Sequence, residues 1–580
     1  MHWLRDMAAE QTDSLFLLPH RFHNLPVAAR RSLAKLLRID ALREISENAA
    51  VVGGDACEYS RRMLEQLGVE LVVSASDVER IPKTGPVLIV ANHPFGLLEG
   101  LVLSAVLGPV RDDYRFLAND ALRSVRAVRD RVIAVDVQSG VSMKNARAFR
   151  EAARWLKSGG AMAVFPSGEV SSWVWRQGKV ADPEWKESAA RLATMSGANV
   201  LPMFFQGGNS LTFHLAGVIH PAIRTARLPA ELLSKRGFSV HLRIGNPIPA
   251  QELAEFGEPR HQIEHLRLRT YSLAYRAAAS APAPAPVAQA IRENRAIQDE
   301  IAALRERRLD AIGDFEVYVA RPRAIPAVLT EIGRLREETF RGAGEGTGRS
   351  SDIDTFDAYY DHLFVWNARA KAIAGAYRLA PTQEILRRFG PQGLYTASLF
   401  QFQSPFFERL GPALELGRSF IRPEYQRDYA PLYLLWRGIA RYLSARPEIK
   451  MLFGAVSISS RYTEASRQLI AEFVSCRAAH PLGALVRPRT PYRPAMAGLT
   501  ELRRLAHSTQ SLDSLSRVLR DLEPHLDGVP VLLRQYEKLG GTVLALNVDS
   551  SFSEVLDCLL LVDLTAAHHP LLRRLFRREP

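Results

Sequence analysis

Two α/β domains joined by a spacer are predicted for this chain, and three observations carry the prediction. In the N-terminal part, short apolar runs alternate with helical stretches, the pattern of strands layered against helices. An Ala/Pro run at 277–286 breaks that pattern and favours an extended, semi-rigid spacer. Beyond it, apolar patterning resumes around a strand, a basic loop and a helix. At 580 residues the chain has room for two or three domains with sizeable cores. The divisions are read as a first domain at 1–278, a spacer with a charged helix at 279–309 and a second domain at 310–580.

Each element has its own warrant. In the first domain, strands are expected at 87–90, 132–135, 161–165, 200–204 and 240–244, apolar runs too short for buried helices. Helices are expected at 144–157 and 187–195. In the second, a charged helix at 287–308 precedes strands at 370–376 and 451–458 and a helix at 432–443. No internal repeat is visible.

Composition narrows the function classes. The three cysteines, Cys57, Cys476 and Cys558, are widely spaced and odd in number, which suits a reducing compartment and argues against a disulfide framework or a zinc site. No metal ligand set is expected. A formal net charge of +13 points to an anionic partner. Arg123, Arg126, Arg129, Arg131, Arg147, Arg150 and Arg154 are dispersed among acids and apolar residues, and no nucleic-acid-binding pattern stands out, so nucleic acid is not the expected partner. No apolar stretch approaches the ~20 residues of a spanning helix, and the first residues lack the apolar core of a signal peptide. Residues 20–43 and 571–578 combine basic and apolar positions; each is either a membrane-surface segment or a helix packed on its own domain. The expectation is a protein on the cytoplasmic side of a bacterial inner membrane, bound peripherally.

Two stretches carry the chemistry of the first domain: Asn92-His93-Pro94-Phe95-Gly96-Leu97-Leu98-Glu99-Gly100 and Phe165-Pro166-Ser167-Gly168-Glu169-Val170. Each follows a strand-like run. A neutral imidazole can take a hydroxyl proton, and a carboxylate fixes its tautomer and stabilises the imidazolium. Residues six apart do not share a helix face, so His93 must lie on the turn, before a helix opened by Pro94, with Glu99 pointing back. The two stretches, with Leu201-Pro202-Met203 after them, resemble the lysophospholipid (glycerolipid) acyltransferases over roughly residues 50–278. That resemblance implies that His93 activates an acceptor hydroxyl against an acyl thioester, without a covalent enzyme intermediate. It further implies that Asn92, Phe165, Pro166, Ser167, Gly168 and Glu169 line the substrate site.

The departures from that pattern bear on the acceptor. The His-to-acid spacing is one residue longer than usual, and the acid is Glu99 rather than Asp. Ser167 stands where Glu is usual, and Val170 and Val137 stand where the family carries arginines that implicitly hold an acceptor phosphate. Phosphate favours forked guanidinium donors. Lys144, Arg147, Arg176 and Lys179 are the candidate replacements, each also readable as a solvated surface charge. An acceptor without phosphate is therefore expected.

In the second domain the informative block runs from Leu414-Glu415-Leu416-Gly417-Arg418 to Arg422-Pro423-Glu424-Tyr425-Gln426-Arg427, followed by a helix. A basic loop entering a helix N-terminus offers free N–H groups to an anion. The block, with Asn547-Val548-Asp549 and Leu561-Val562-Asp563, resembles the Gcn5-related N-acyltransferases over roughly 310–565. The narrower likeness is to the branch holding acyl-carrier-protein-dependent ornithine N-acyltransferases and haemolysin-like proteins. It implies that Glu415 accepts a proton from the attacking amine and that Arg418 pairs with Glu415 or binds the substrate carboxylate. Arg422 is implied to line the substrate site, with Gln426 and Arg427 at the pantetheine phosphate. A structural Glu415–Arg418 salt bridge is the plainer alternative. Asp352, Asp354 and Asp357 are read either as a cation site or, more simply, as a solvated helix start.

The two resemblances together imply a bifunctional acyltransferase of ornithine-lipid synthesis. The second domain would N-acylate ornithine with a 3-hydroxyacyl group from acyl carrier protein. The first would then O-acylate the 3-hydroxyl of the lyso-ornithine lipid. No tightly bound cofactor is expected, with the phosphopantetheine thioester as co-substrate. The open alternatives are another amino-acid lipid such as a glycine lipid, a lysophosphatidic acid acyltransferase, and a non-catalytic membrane-associated protein.

Overall fold

Val87–Ala91 is apolar at every position because it becomes a strand covered on both faces, and around it the first unit is built. In the computed structural model, residues 38–50, 54–136, 143–174, 178–219, 221–277, 295–477, 480–494 and 500–565 are described. The expected basic segment before Arg38, the tail at 571–578, the spacer beyond Ala277, Val137 and Arg176 lie outside these residues. The chain divides into two compact units, Met1–Arg276 and Ala277–Pro580.

The strands of the first unit are β1 (Glu70–Val72), β2 (Val87–Ala91), β3 (Tyr114–Asn119), β4 (Val132–Val135), β5 (Ala161–Val164), β6 (Ser172–Val174), β7 (Lys179–Ala181), β8 (Asn199–Gln206) and β9 (Ser239–Ile244). Seven form one sheet in the order β1-β9-β8-β2-β5-β3-β4, while β6 and β7 make a separate hairpin. All neighbours in the large sheet are parallel except β8 and β9. Strand periodicity sends Val87, Ile89 and Ala91 into one core layer and Leu88 and Val90 into the other. Helices Ala56–Leu67 and Leu97–Leu107 cover the first face; Met143–Lys157, Ser188–Ser196 and Pro259–Ser272 cover the second. The sheet thus has two strands, β1 and β3, beyond the expected five. Both mix charged with apolar residues, which hides them from a search for apolar runs.

The second unit continues with β10 (Arg308–Ile312), β11 (Phe315–Ala320), β12 (Asp361–Asn367), β13 (Ala372–Pro381), β14 (Phe400–Phe402), β15 (Ala413–Ile421), β16 (Met451–Ile458), β17 (Val486–Pro488), β18 (Thr542–Asp549) and β19 (Val555–Asp563). Eight form a sheet in the order β10-β11-β12-β13-β15-β16-β19-β18, antiparallel throughout except for β15 and β16. The parallel pair is short, from Ala413↔Met451 to Glu415↔Phe453. At its end the backbones nearly touch, since a Cβ on Gly454 would stand 2.1 Å from the Leu416 carbonyl. β15 also carries an extra residue against β13: Ala376 faces Phe420 but Arg378 faces Gly417. Arg418 lies in that bulge with φ +50°, a left-handed conformation that re-aims its side chain. Among the described residues, no helix is long and apolar enough to cross a membrane.

Candidate active sites

Parallel strands bring the first-domain motifs together. His93 follows β2, Phe165 follows β5 and Gln206 ends β8, so all three come to the carboxyl edge of adjacent strands. Asn92 extends the β2–β8 ladder with its side chain: its Nδ2 donates to the Phe205 carbonyl at 2.9 Å, and the Phe205 amide donates to its Oδ1 at 2.7 Å. The chain then turns at Pro94, and the helix begins only at Leu97, after Gly96 at φ +101°. Pro94 therefore does not open the helix as expected; it belongs to the turn.

That turn determines the geometry of the His93–Glu99 pair. Glu99, in the first helical turn, points back to accept from the Phe95 amide at 2.6 Å and places Oε1 3.3 Å from His93 Nδ1. Glu99 is fully buried, whereas the His93 side chain keeps 17% exposure, so the imidazole alone reaches outward. The ring lies stacked on Phe165 with centroids 4.2 Å apart. The helix N-terminus favours the Glu99 charge, and Lys235 adds a cation: its ammonium donates to the Gly208 carbonyl at 2.8 Å and lies 5.1 Å above the Phe95 ring. Burial lowers the Lys235 pKa, opposed by Glu231 and Glu99.

An acid that the motifs do not contain supports the histidine. Asp182, 3% exposed, accepts from the His93 amide at 3.1 Å, the Ser171 hydroxyl at 2.5 Å and the Trp185 indole at 2.8 Å. It ties His93 to the loop after β5, a link the Ser171 amide repeats by donating to the His93 carbonyl at 2.8 Å. Burial raises the Asp182 pKa, while these donors hold it down. Asp182 follows β7 in an unremarked stretch of sequence, and only tertiary contact reveals it. Asn209, equally unmarked, donates to the Phe95 carbonyl at 3.1 Å.

The second block divides its labour. Pro166 and Ser167 are buried, and Ser167 Oγ donates to the Glu169 carbonyl at 2.8 Å, closing the turn at Gly168 (φ +68°). Glu169 turns to solvent, 3.3 Å from Arg224. Of the candidate phosphate-binding cations, Lys144 is held by Asp120 at 2.8 Å.

In the second unit, Glu415 and Arg418 do not pair, which corrects the expected salt bridge. Arg418 finds its carboxylates at Asp352 and Asp354 instead. Glu415 is 1% exposed and accepts from the Tyr360 hydroxyl, the Tyr395 amide at 3.2 Å and the Thr396 amide at 2.7 Å. It fixes Tyr360 and the first turn of helix Thr396–Leu399, and its carboxylate is sealed from any attacking amine. Burial, then the Glu415 charge, drives the Tyr360 pKa far up.

Arg418 instead joins a buried network. Its Nε lies 3.2 Å from Asp352 and its Nη2 3.6 Å from Asp354, while Nη1 donates to the Tyr395 hydroxyl at 3.1 Å. Arg378 pairs with Asp354 at 2.7 Å and Asp357 at 3.3 Å, and Arg336 with Asp357 at 2.8 Å and Asp352 at 3.2 Å. The acids are thus not a solvated helix start: Asp352 and Asp357 are buried and guanidinium-bound. Arg336 and Arg378 hold the Asp357 carboxyl well below the usual carboxylate range against the effect of burial.

The expected phosphate cradle is narrower than a bare helix N-terminus. In helix Tyr429–Ser444, Asp428 caps the Ala430 amide at 2.9 Å and Pro431 has no N–H. Arg422 is buried and faces Glu424 at 2.5 Å. Gln426, exposed, donates to the Ile421 carbonyl at 2.9 Å, and Arg427 is exposed beside it.

Comparison with known proteins assigns both units. Residues 33–280 match the acyltransferase family model, and residues 335–436 match the acetyltransferase (GNAT) domain model. A glycine N(alpha)-acyltransferase of Phocaeicola vulgatus is 37% identical over 171 residues, covering 28% of this chain and 52% of that protein. A lyso-glycine lipid O-acyltransferase of Bacteroides thetaiotaomicron is 28% identical over 280 residues, covering 45% of this chain and 99% of that protein. An L-ornithine N(alpha)-acyltransferase of Brucella abortus is 27% identical over 251 residues, covering 40% and 79%. The chain spans about half the length of the glycine N-acyltransferases it matches.

Proposed function

The chain joins an acyltransferase domain to a C-terminal GNAT domain, and from that premise we propose that it makes a diacylated amino-acid lipid, with ornithine as the amino acid. In the second unit, the neutral α-amine attacks the 3-hydroxyacyl thioester of acyl carrier protein. The C–N bond forms, the C–S bond breaks, and the amine proton leaves with the thiol. The parallel ladder between β15 and β16 stops at Glu415↔Phe453, which supports a meeting point of thioester and amine at its end. Gln426 and Arg427 are the cations and donors available to the pantetheine phosphate. Glu415 acts by holding Tyr360 and Tyr395, not by taking the proton.

In the first unit, His93 takes the proton of the 3-hydroxyl as its oxygen attacks a second acyl thioester. The O–C bond forms, the C–S bond breaks, and the imidazolium returns the proton to the leaving thiolate, with Glu99 steadying the charge. The observation that carries this reading is the partly open His93 against the sealed Glu99 at the carboxyl edge of the sheet. The acceptor bears no phosphate, consistent with Lys144 being engaged by Asp120 and with valine where arginine is usual at Val170. The net charge of +13 supports binding to acyl carrier protein and to the cytoplasmic face of an anionic inner membrane.

A glycine lipid is the second reading, favoured by the 37% identity to a glycine N-acyltransferase. The test is mass spectrometry of lipids from a host without aminolipids, expressing the native chain or His93→Ala. Diacylated ornithine from the first and only the mono-acylated amide from the second is the expected result. Glycine species in their place select the second reading, and an unchanged lipidome refutes both.

A further inference from the structure

Three carboxylates of the second unit that lack an arginine partner among the described residues gather along one row. Asp352, Asp354 and Asp357 are matched by Arg336, Arg378 and Arg418. Glu345, Asp549 and Asp557 have no such partner among the described residues. Asp557 stands on β19 directly between Ser457 of β16 and Asn547 of β18. Residues so paired point to one face, and Asp549, two beyond Asn547, shares it. Glu345 reaches the same row by accepting from Ser457 Oγ at 2.7 Å.

The members differ in how they are satisfied. Asp549 caps the Ser551 amide at 2.9 Å, and Asn547 is engaged by the Thr490 amide at 2.8 Å and the Val548 carbonyl at 3.1 Å. Asp557 is only 5% exposed, and its Oδ2 is buried without a hydrogen-bond partner. An orphaned carboxylate oxygen in the interior is costly and calls for a donor. Arg418 does not hydrogen-bond to it: its guanidinium lies against Asp352, Asp354 and Tyr395, 4.3 Å from the Phe552 ring centroid. Among the described residues, no group of acids and histidines is arranged to hold a metal ion.

We infer that Asp557, with Glu345 and Asp549, holds the side-chain ammonium of a dibasic amino acid, and so selects ornithine over glycine in the N-acylation step. This rests on the proposed N-acyltransfer and goes beyond it by naming the residues of the choice. The chemistry excludes the α-amine as the permanent occupant, because an amine held as ammonium has no lone pair to attack a thioester. The cation must therefore sit at the other end of the substrate, a group glycine lacks. Burial, then the like charges of Asp549 and Glu345, holds the Asp557 carboxyl well above its usual range. An entering ammonium would relieve that strain.

The test uses the full chain, calorimetric binding of L-ornithine and glycine without acyl donor, and N-acylation with 3-hydroxyacyl carrier protein. The native protein should bind ornithine and prefer it in kcat/KM. Asp557→Asn should lower ornithine binding and kcat/KM by about 30-fold or more while leaving glycine acylation within about 3-fold. Glu345→Gln should act in the same direction. Glycine preferred by the native chain, or equal losses on both substrates in Asp557→Asn, overturns the inference and leaves N-acyltransfer standing. Ornithine binding that depends on Asp557 without any acylation overturns the proposed function and leaves the subsite standing. Neither binding nor acylation overturns both.

Discussion

Asp182→Ala isolates what holds His93 in place. The native carboxylate accepts from the His93 amide, the Ser171 hydroxyl and the Trp185 indole. Alanine leaves those three donors without partners in a site that is 3% exposed. Each orphaned buried group costs about 1–3 kcal/mol, but relief of the buried charge offsets part of the loss. A net destabilisation of about 3 kcal/mol is expected in urea unfolding of the first unit. The effect on chemistry should be sharper. His93 shifts with its backbone, and a displacement of about 1 Å costs on the order of 100-fold in rate. Asp182→Asn keeps the size but turns an N–H toward one of the donors, so it should fall between alanine and native. The assay follows both products of the full chain: the mono-acylated amide should form at the native rate and the diacylated lipid about 100-fold more slowly. Native O-acylation by Asp182→Ala would refute the positioning role.

Three further outcomes are expected. Gly96→Ala strains a φ of +101° and brings a Cβ within 2.7 Å of Leu228 Cδ2, costing about 1–3 kcal/mol; O-acylation should fall and N-acylation persist, and equal activity in both assays would contradict this. Arg378→Met leaves Asp354 and Asp357 short of a cation and should destabilise the second unit by about 3–5 kcal/mol in denaturant; a loss under about 1 kcal/mol would count against the network. Burial pushes His362 down from 6.5 to about 4, so the unfolded chain binds a proton there that the folded one does not. Stability should therefore fall by roughly 3 kcal/mol as pH drops from 6.5 to 4, and His362→Gln should shrink that step in urea midpoints measured across the window.

Much of the architecture was legible because burial on both faces leaves a run with nothing but apolar residues. β2, β4 and β16 follow their apolar runs closely. Strands with mixed faces, β1 and β3, were hidden because charge interrupts the run. The helix after His93 starts three residues later than Pro94 predicts, because proline signals a helix start as readily as a turn. In the second unit Glu415 and Arg418 do not pair because each finds its partners on other segments, Glu415 at Tyr360, Tyr395 and Thr396 and Arg418 at Asp352 and Asp354.

By itself the sequence determined the alternating layers and the two motifs of the first unit, since these follow from periodicity and from residue types at short spacing. Tertiary structure alone decided which charges are satisfied. Asp182 meets His93 from 89 residues away, Glu415 meets Tyr360 from 55, and Asp557 Oδ2 is left without a hydrogen-bond partner. Partnership of that kind depends on strand order and on contacts between distant segments, which no local pattern encodes.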